Sequence, residues 1–251
     1  MPSSVVRLLV LLAASGLAAA GQPLMVVDDA GREVRLVAPA QRIVSLAPHL
    51  TELLFAAGAG EQVVAVSEHS SYPPQARQLP SVGGGAGLDL EAIVALQPDL
   101  VVAWQSGNSA AQLAQLERFG LVLFYSEPGQ IDAIASTLER LGTLAGTAGP
   151  AGDAARVFRD GVARLAARYA GREPVSVFYQ IWERPLMTVS GDHIISAWLR
   201  LCGGGNVFAE LPALAAPVSL EAVLAADPQV IIAGRYAGKG DGWEQAWRAW
   251  P

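Results

Sequence analysis

One stretch of this chain occurs twice, and the duplication limits what the chain can become. Leu88–Trp104 reads L-D-L-E-A-I-V-A-L-Q-P-D-L-V-V-A-W, and Val218–Gly234 reads V-S-L-E-A-V-L-A-A-D-P-Q-V-I-I-A-G, aligned without a gap. Glu91 pairs with Glu221, Pro98 with Pro228, and Leu100–Ala103 with Val230–Ala233. Each copy opens on a capping residue, Asp89 or Ser219, then runs through a short helix and a helix-ending proline region into an apolar, β-branched run. That is a helix feeding a buried strand. Copies this far apart are too widely spaced for a solenoid, so the repeat predicts two similar α/β lobes.

The rest of the chain fits that plan. Val26–Val27, the turn Asp28–Gly31 and Glu33–Val37 predict a β-hairpin. Arg42–Leu46 reads as a short buried strand, Leu50–Ala57 as a helix stopped by Gly58 and Gly60, and Val63–Val66 as the next strand. A polar loop, Ser67–Pro74, and a glycine-rich loop, Ser81–Gly87, lead into the first copy. Helices are expected over Ala110–Phe119 and Ile131–Ala145, with a strand at Leu121–Tyr125 between them. Strands alternating with helices through short loops predict a parallel sheet with right-handed crossovers.

Then the rhythm breaks. Gly149–Gly171 contains no strand pattern, and Ala151–Ala170 reads as one long helix. A helix of about 20 residues spans about 30 Å, the width of a small domain. The expected fold is therefore α/β, with two parallel-sheet lobes joined by one long connecting helix and a ligand cleft between them. The boundaries fall at 22–147 for the first lobe, 148–171 for the connector and 172–251 for the second. In the second lobe, Val175–Gln180 is expected as a strand, Ile194–Leu201 as a helix and Cys202–Gly205 as a turn. Trp243, Trp247 and Trp250 mark an amphipathic helix near Pro251, and this lobe reads as shorter than the first by at least a strand and a helix.

The N-terminus has the form of an export signal. Arg7 gives a basic start, Leu8–Leu17 is apolar, and Ala18–Ala20 offers a small-residue cleavage site, so residues 1–21 are expected to be removed near Ala20. The apolar run is too short to span a membrane. A net charge of −6 with Lys239 as the sole lysine argues against nucleic acid, whose phosphates require a basic face. Cys202 is the one cysteine. In an exported protein it is either a buried apolar residue or the partner of a cysteine outside this chain.

In open parallel sheets, ligands bind beyond the carboxyl ends of the strands. The residues just past the expected strands are His49, His69, Trp104, Trp182, and Arg235 with Tyr236. Taken together they predict an aromatic, nearly neutral cleft. One Trp face of ~100 Å² contributes at most ~2–3 kcal/mol, whereas a micromolar ligand needs about 8 kcal/mol. Several such contacts from both lobes suit a large, flat, partly apolar ligand. Other chemistries lack their signatures. Gly83–Gly87 is not G-x-G-x-x-G, and Asp89 and Glu91 beside it would repel phosphate. There is no G-x-S-x-G and no H-E-x-x-H. Glu68 with His49 and His69 makes an incomplete metal set, so no metal is expected. Glu91 and Glu221 each sit in a first helical turn, where the helix dipole alone favours an acid by ~0.3–1 kcal/mol. As a matched pair, one per lobe, they also suit docking onto a two-fold symmetric, arginine-bearing partner.

Five segments carry a family resemblance: S-L-A-P-H-L-T-E-L-L-F-A-A-G (Ser45–Gly58), V-S-E-H-S-S-Y-P-P (Val66–Pro74), L-E-A-I-V-A-L-Q-P-D-L-V-V-A-W (Leu90–Trp104), L-C-G-G-G-N-V-F (Leu201–Phe208) and V-S-L-E-A-V-L-A-A-D-P-Q-V (Val218–Val230). The chain resembles the cobalamin-binding periplasmic proteins of ABC importers, within the wider group that also binds siderophores and haem. The resemblance implies two α/β lobes joined by a long helix, no catalysis, and cobalamin as cargo rather than cofactor. It implies docking on a membrane permease through Glu91 and Glu221, and ligand contact through Trp104. His69 stands where the best-known pattern has a cobalamin-contacting tyrosine, Gly85 where it has a tryptophan, and Ala215–Ala216 where it has another aromatic; Trp182 could supply replacement surface. The family continues past this endpoint with a strand, an Asp/Arg loop and a helix whose cysteine would pair with Cys202. A monomer is expected. The alternatives are haem or a ferric siderophore as ligand, with His69 or His49 as an iron ligand, and, more remotely, a hydrolase using Ser190 or His193.

Overall fold

The computed structural model describes residues 23–85, 87–234 and 242–250. The expected export signal lies outside the described residues, as do Arg235 and Tyr236.

The first lobe opens with an antiparallel hairpin of β1 (Leu24–Val27) and β2 (Glu33–Leu36), registered Leu24 to Leu36. Next come β3 (Ile43–Ser45), α1 (Pro48–Ala56) and β4 (Val63–Val66). Proline at the first helical position starts α1 because its fixed φ suits a helix and its missing N–H would have no intrahelical partner there. The glycine-rich loop closes on itself as a minimal antiparallel hairpin, β5 (Gly83–Gly84) with β6 (Gly87–Leu88). Gly83 has φ +90°, and a Cβ there would lie 2.3 Å from the Gly87 carbonyl, so only glycine allows the hairpin to close. Then follow α2 (Leu90–Ala95), β7 (Leu100–Trp104), α3 (Ala110–Arg118), β8 (Leu123–Ser126) and α4 (Ile131–Ala145).

β4, β3, β7 and β8 hydrogen-bond in that order, all parallel. Burial on both faces explains why β7 is apolar at four successive positions rather than alternating: Leu100, Val101, Val102 and Ala103 are all fully buried. One face packs under α1 and α4 through Ile43, Leu50, Val102, Phe124, Leu138 and Leu141. The other packs under α2 and α3 through Val44, Ile93, Val101, Leu113 and Leu116.

α5 (Ala148–Tyr169) is the long connector, starting three residues earlier than the sequence suggested. It packs along α4, where Gly142 lets Ala151 approach closely; a Cβ on Gly142 would stand 2.2 Å from that of Ala151. The second lobe contains β9 (Val175–Gln180), β10 (Met187–Val189), α6 (Ile194–Leu201), β11 (Gly204–Asn206), β12 (Ala215–Pro217), α7 (Leu220–Ala226), β13 (Val230–Ala233) and α8 (Gly242–Arg248). Its parallel sheet runs β11, β9, β13, and β10 pairs antiparallel with β12.

Three strands here differ from expectation. The turn expected over Cys202–Gly205 instead feeds β11, whose Gly-Gly-Asn has no strand propensity but finds an open edge of β9 beside Val175–Val177. β10 and β12 are three residues each, too short to show a period, and each is defined by the other.

Candidate functional site

Both copies of the repeat fold as their caps dictate. The Asp89 carboxylate accepts the Ala92 N–H at 2.9 Å, and the Ser219 hydroxyl oxygen accepts the Ala222 N–H at 3.1 Å. Gln97 and Asp227, at matched positions before the prolines, both adopt left-handed backbone with φ 46° and 43°. The following proline disfavours the right-handed helical region at that position, so each helix stops at the same place. Glu91 and Glu221 are exposed in the first turns of α2 and α7. Glu221 is held below the usual carboxylate range, first by its own backbone N–H and then by the Ser219 hydroxyl.

At the carboxyl end of the first sheet, Trp104 is the organising side chain. Its indole meets the His49 imidazole edge-on, with ring centroids 5.2 Å apart and planes at 88°. The ring lies over Gly107, where a Cβ would sit 1.9 Å from an indole carbon; any other residue there would displace the tryptophan. The Trp104 backbone N–H donates to Asn108 Oδ1 at 2.7 Å, and Asn108 Nδ2 donates to the Leu46 carbonyl at 3.0 Å, tying the end of β7 to the end of β3. The indole Nε1 donates to Glu127 Oε1 at 3.3 Å, while the Ser106 N–H donates to Glu127 Oε2 at 2.8 Å. Glu127 is held in turn: its N–H donates to Asp29 Oδ2 at 2.7 Å, and Asp29 is ion-paired with Arg140 of α4 at 2.6 Å.

Beneath this corner lies a buried hydroxyl cluster. Thr51 Oγ1 donates to Ser45 Oγ at 2.9 Å and lies 3.2 Å from Ser70 Oγ, which is 3.1 Å from Ser67 Oγ. It fastens α1 and the loop after β4 to the end of β3, and so sets where His49 and His69 emerge. Burial pushes His49 below its ordinary value, and the negative charge of Glu127 opposes that only in part. His193, at the N-cap of α6 in the second lobe, shows the same depression by burial and the same opposing pull from Glu127. Its Nδ1 accepts the Ile195 N–H at 3.1 Å, so this imidazole nitrogen is committed to capping.

The structure thus brings His49 and Trp104 together and adds Glu127, Asn108 and Gly107, none of which the sequence reading had singled out. Glu127 stands one residue past the observed β8 and two past the strand expected at Leu121–Tyr125, and its position alone does not distinguish it from other loop acids. His69 is exposed on the loop after β4 with φ 66°, and Gly85 is exposed at the tip of the β5–β6 turn. Trp182 is 46% exposed just past β9 and donates through Nε1 to the Arg184 carbonyl at 3.1 Å. Cys202 is exposed at the end of α6, which removes the reading of it as a buried apolar residue. Ser190, weighed as a nucleophile, is buried. Among the described residues no cluster of three His, Cys, Asp or Glu side chains could hold a metal, and no helix is long and apolar enough to cross a membrane.

Two α/β lobes on a helical connector, with polar and aromatic groups at the strand ends, define a two-lobed binding protein. Residues 43–244 match the periplasmic binding protein family, and the chain belongs to it. Over 210 residues it is 42% identical to the vitamin B12-binding protein of Vibrio parahaemolyticus, covering 84% of this chain and 76% of the relative. The structure is similar to that of the periplasmic vitamin B12 binding protein BtuF of Vibrio cholerae, with a TM-score of 0.77 and 40% identity over 84% of this chain and 83% of the other. It is also similar to a periplasmic heme binding protein from Pseudomonas aeruginosa, with a TM-score of 0.71 and 27% identity over 82% of this chain and 76% of the other.

Proposed function

We propose that this protein is an exported, non-enzymatic receptor that captures a cobalamin in the cleft between its lobes and presents it to an ABC importer. The observation that carries the reading is the fixed aromatic corner of Trp104 and His49 at the strand ends, in a chain about two-fifths identical to vitamin B12-binding relatives. A flat corrin offers the broad, partly apolar surface that such a corner can cover. Trp182 lies past a strand end of the second lobe, and His69 and Gly85 lie on loops of the first; we place these three at the cleft with Trp104, and Arg235, which follows Gly234 in sequence, is a further candidate. The working division is residues 22–147 and 172–251 about the connector 148–171. The protein acts as a monomer in the periplasm after removal of its signal near Ala20.

Delivery runs through Glu91 and Glu221, the exposed and matched acids of the two lobes, which offer two anionic points to paired arginines on a permease. Calorimetric titration of the mature protein with cyanocobalamin tests capture. Affinity in the micromolar range or tighter is expected, and no heat of binding up to roughly 100 µM ligand rejects the assignment. Glu91→Gln with Glu221→Gln tests delivery: ligand affinity stays as in the wild type while uptake falls roughly tenfold through loss of two charge pairs. Unchanged uptake with a lowered melting temperature assigns both acids to helix stabilisation alone.

A second reading keeps the fold and changes the cargo to haem, with His69 or His49 as iron ligand. The similarity to a heme binding protein supports it. A Soret shift on adding haem that His69→Ala or His49→Ala abolishes would establish it over cobalamin.

A further inference from the structure

Glu127 stands at the junction of several independent contacts. One carboxylate oxygen accepts the Trp104 indole N–H at 3.3 Å and the other accepts the Ser106 N–H at 2.8 Å, so both oxygens are committed on one side. Its backbone N–H donates to Asp29 Oδ2, and Arg140 of α4 donates to Asp29 Oδ1. The indole so held is the ring against which His49 packs edge-on, over a floor that only glycine at 107 permits. Around Glu127 the titratable and charged groups are His49 on α1, His193 at the start of α6 in the other lobe, Asp29 on the β1–β2 turn, and Arg140 on α4 through Asp29.

We propose that Glu127 is a positioning residue of the cleft: it sets the orientation in which Trp104, and through it His49, meets a ligand. The inference deepens the reading of this cleft as the ligand site and rests on it, so two of its three tests use no ligand. A carboxylate accepts two hydrogen bonds where Gln offers one acceptor and one donor. Glu127→Gln therefore leaves either the indole or the Ser106 N–H facing a donor and frees the ring from its orientation.

The tests use the mature full chain carrying Glu127→Gln or Glu127→Asp. In ligand-free protein the three histidines are followed by imidazole NMR against pH, and the Trp104 indole N–H, assigned through Trp104→Phe, is followed in the same samples. Glu127→Gln is expected to move the indole resonance and to make His49 and His193 titrate at lower pH than in the wild type; Glu127→Asp restores the two histidines. In calorimetry with cyanocobalamin, Glu127→Gln binds roughly tenfold more weakly, the size of one lost charge-assisted hydrogen bond. An unmoved indole resonance, or wild-type affinity in a variant whose indole has moved, overturns the positioning role. If Glu127→Gln fails to fold, Glu127→Asp still decides, because its shorter arm keeps the charge and withdraws the carboxylate from the indole. A wild-type protein that binds no cyanocobalamin rejects the ligand, and the ligand-free measurements still judge Glu127.

Discussion

The two copies of the repeated unit share their local structure and part company in their surroundings. In both, a short polar side chain caps the helix, an exposed glutamate occupies the first turn, and a left-handed residue precedes proline. In both, one branched apolar side chain is buried beneath the helix, Ile93 in the first and Val223 in the second. Beyond that point they diverge. β7 runs between β3 and β8, and Leu100–Ala103 are fully buried. β13 pairs with β9 alone among the described strands, and Val230, the match of Leu100, is 40% exposed. The strand of the first copy ends in Trp104, that of the second in Gly234. Short-range sequence determines caps and stops; depth of burial is decided by the neighbours a strand acquires. The lobes are alike where we place permease docking and unlike where we place ligand contact.

The sharpest way to break this comparison is to remove the matched core residues. Ile93→Ala should cost about 3–4 kcal/mol, since a fully buried Ile leaves a cavity that the close packing of Val44, Val101 and Leu113 resists closing. Val223→Ala removes less volume from a similarly buried site and should cost about 2 kcal/mol. Guanidinium unfolding of the two variants checks this. Equal losses would show that the two lobes bury the unit alike.

The next effect concerns the ligand. Trp104→Ala should weaken cyanocobalamin binding by ~2–3 kcal/mol, roughly 30–150-fold, through loss of one aromatic face. Gly234→Ala, at the matched position of the other lobe, is expected to change affinity less than threefold, a difference below about 0.7 kcal/mol. A large effect at Gly234 would move ligand contact to both copies.

How far the sequence could be read follows the same division. The strands Val63–Val66 and Val175–Gln180 and the helix Ile131–Ala145 lie where patterning places them, because each carries its own apolar period or run. Both caps were legible, since capping is a contact across three residues. The pairing of His49 with Trp104 was half legible: strand ends mark a cleft, but which strand ends meet depends on the order β4, β3, β7, β8. Glu127 was not legible, because its meaning comes from Trp104 and Asp29, which lie far from it in sequence. The hydroxyl cluster of Ser45, Thr51, Ser67 and Ser70 escaped for the same reason; buried serines and threonines look like loop residues until three elements converge on them. β10 and β12 have no signal outside their mutual pairing.

Acid should act on both lobes from the cleft. Burial holds His49 and His193 below their ordinary value of 6.5. In the unfolded chain they take up protons as the pH falls through about 6.5, whereas in the folded protein they resist until the pH is lower. Their contribution to stability is therefore complete above that ordinary value and is lost as the pH falls through the folded values. A ligand lying against His49 buries it further, so cobalamin affinity should decline as the pH falls below the ordinary histidine value, with uptake of a proton by the free protein. Calorimetry in buffers of different ionisation enthalpy measures that proton. His49→Gln should flatten the acid limb of affinity, and an unaltered limb would place the titrating group elsewhere.

The smallest effect separates the two caps. Asp89→Ala and Ser219→Ala should each cost about 1 kcal/mol at neutral pH by exposing a first-turn N–H. The second carries a further signature, because the Ser219 hydroxyl also helps hold the Glu221 carboxylate below its usual value of 4.5. A carboxyl depressed in the folded state stabilises above its unfolded pKa, and that stabilisation fades as the pH falls through the folded value. The penalty of Ser219→Ala should therefore shrink as the pH falls below the usual value of 4.5 and Glu221 is protonated in both proteins. Stability curves of wild type and Ser219→Ala over that window would show it as convergence. Parallel curves would mean that the hydroxyl acts on the Ala222 N–H alone, and that the acid in the second copy owes its ionisation to the helix terminus.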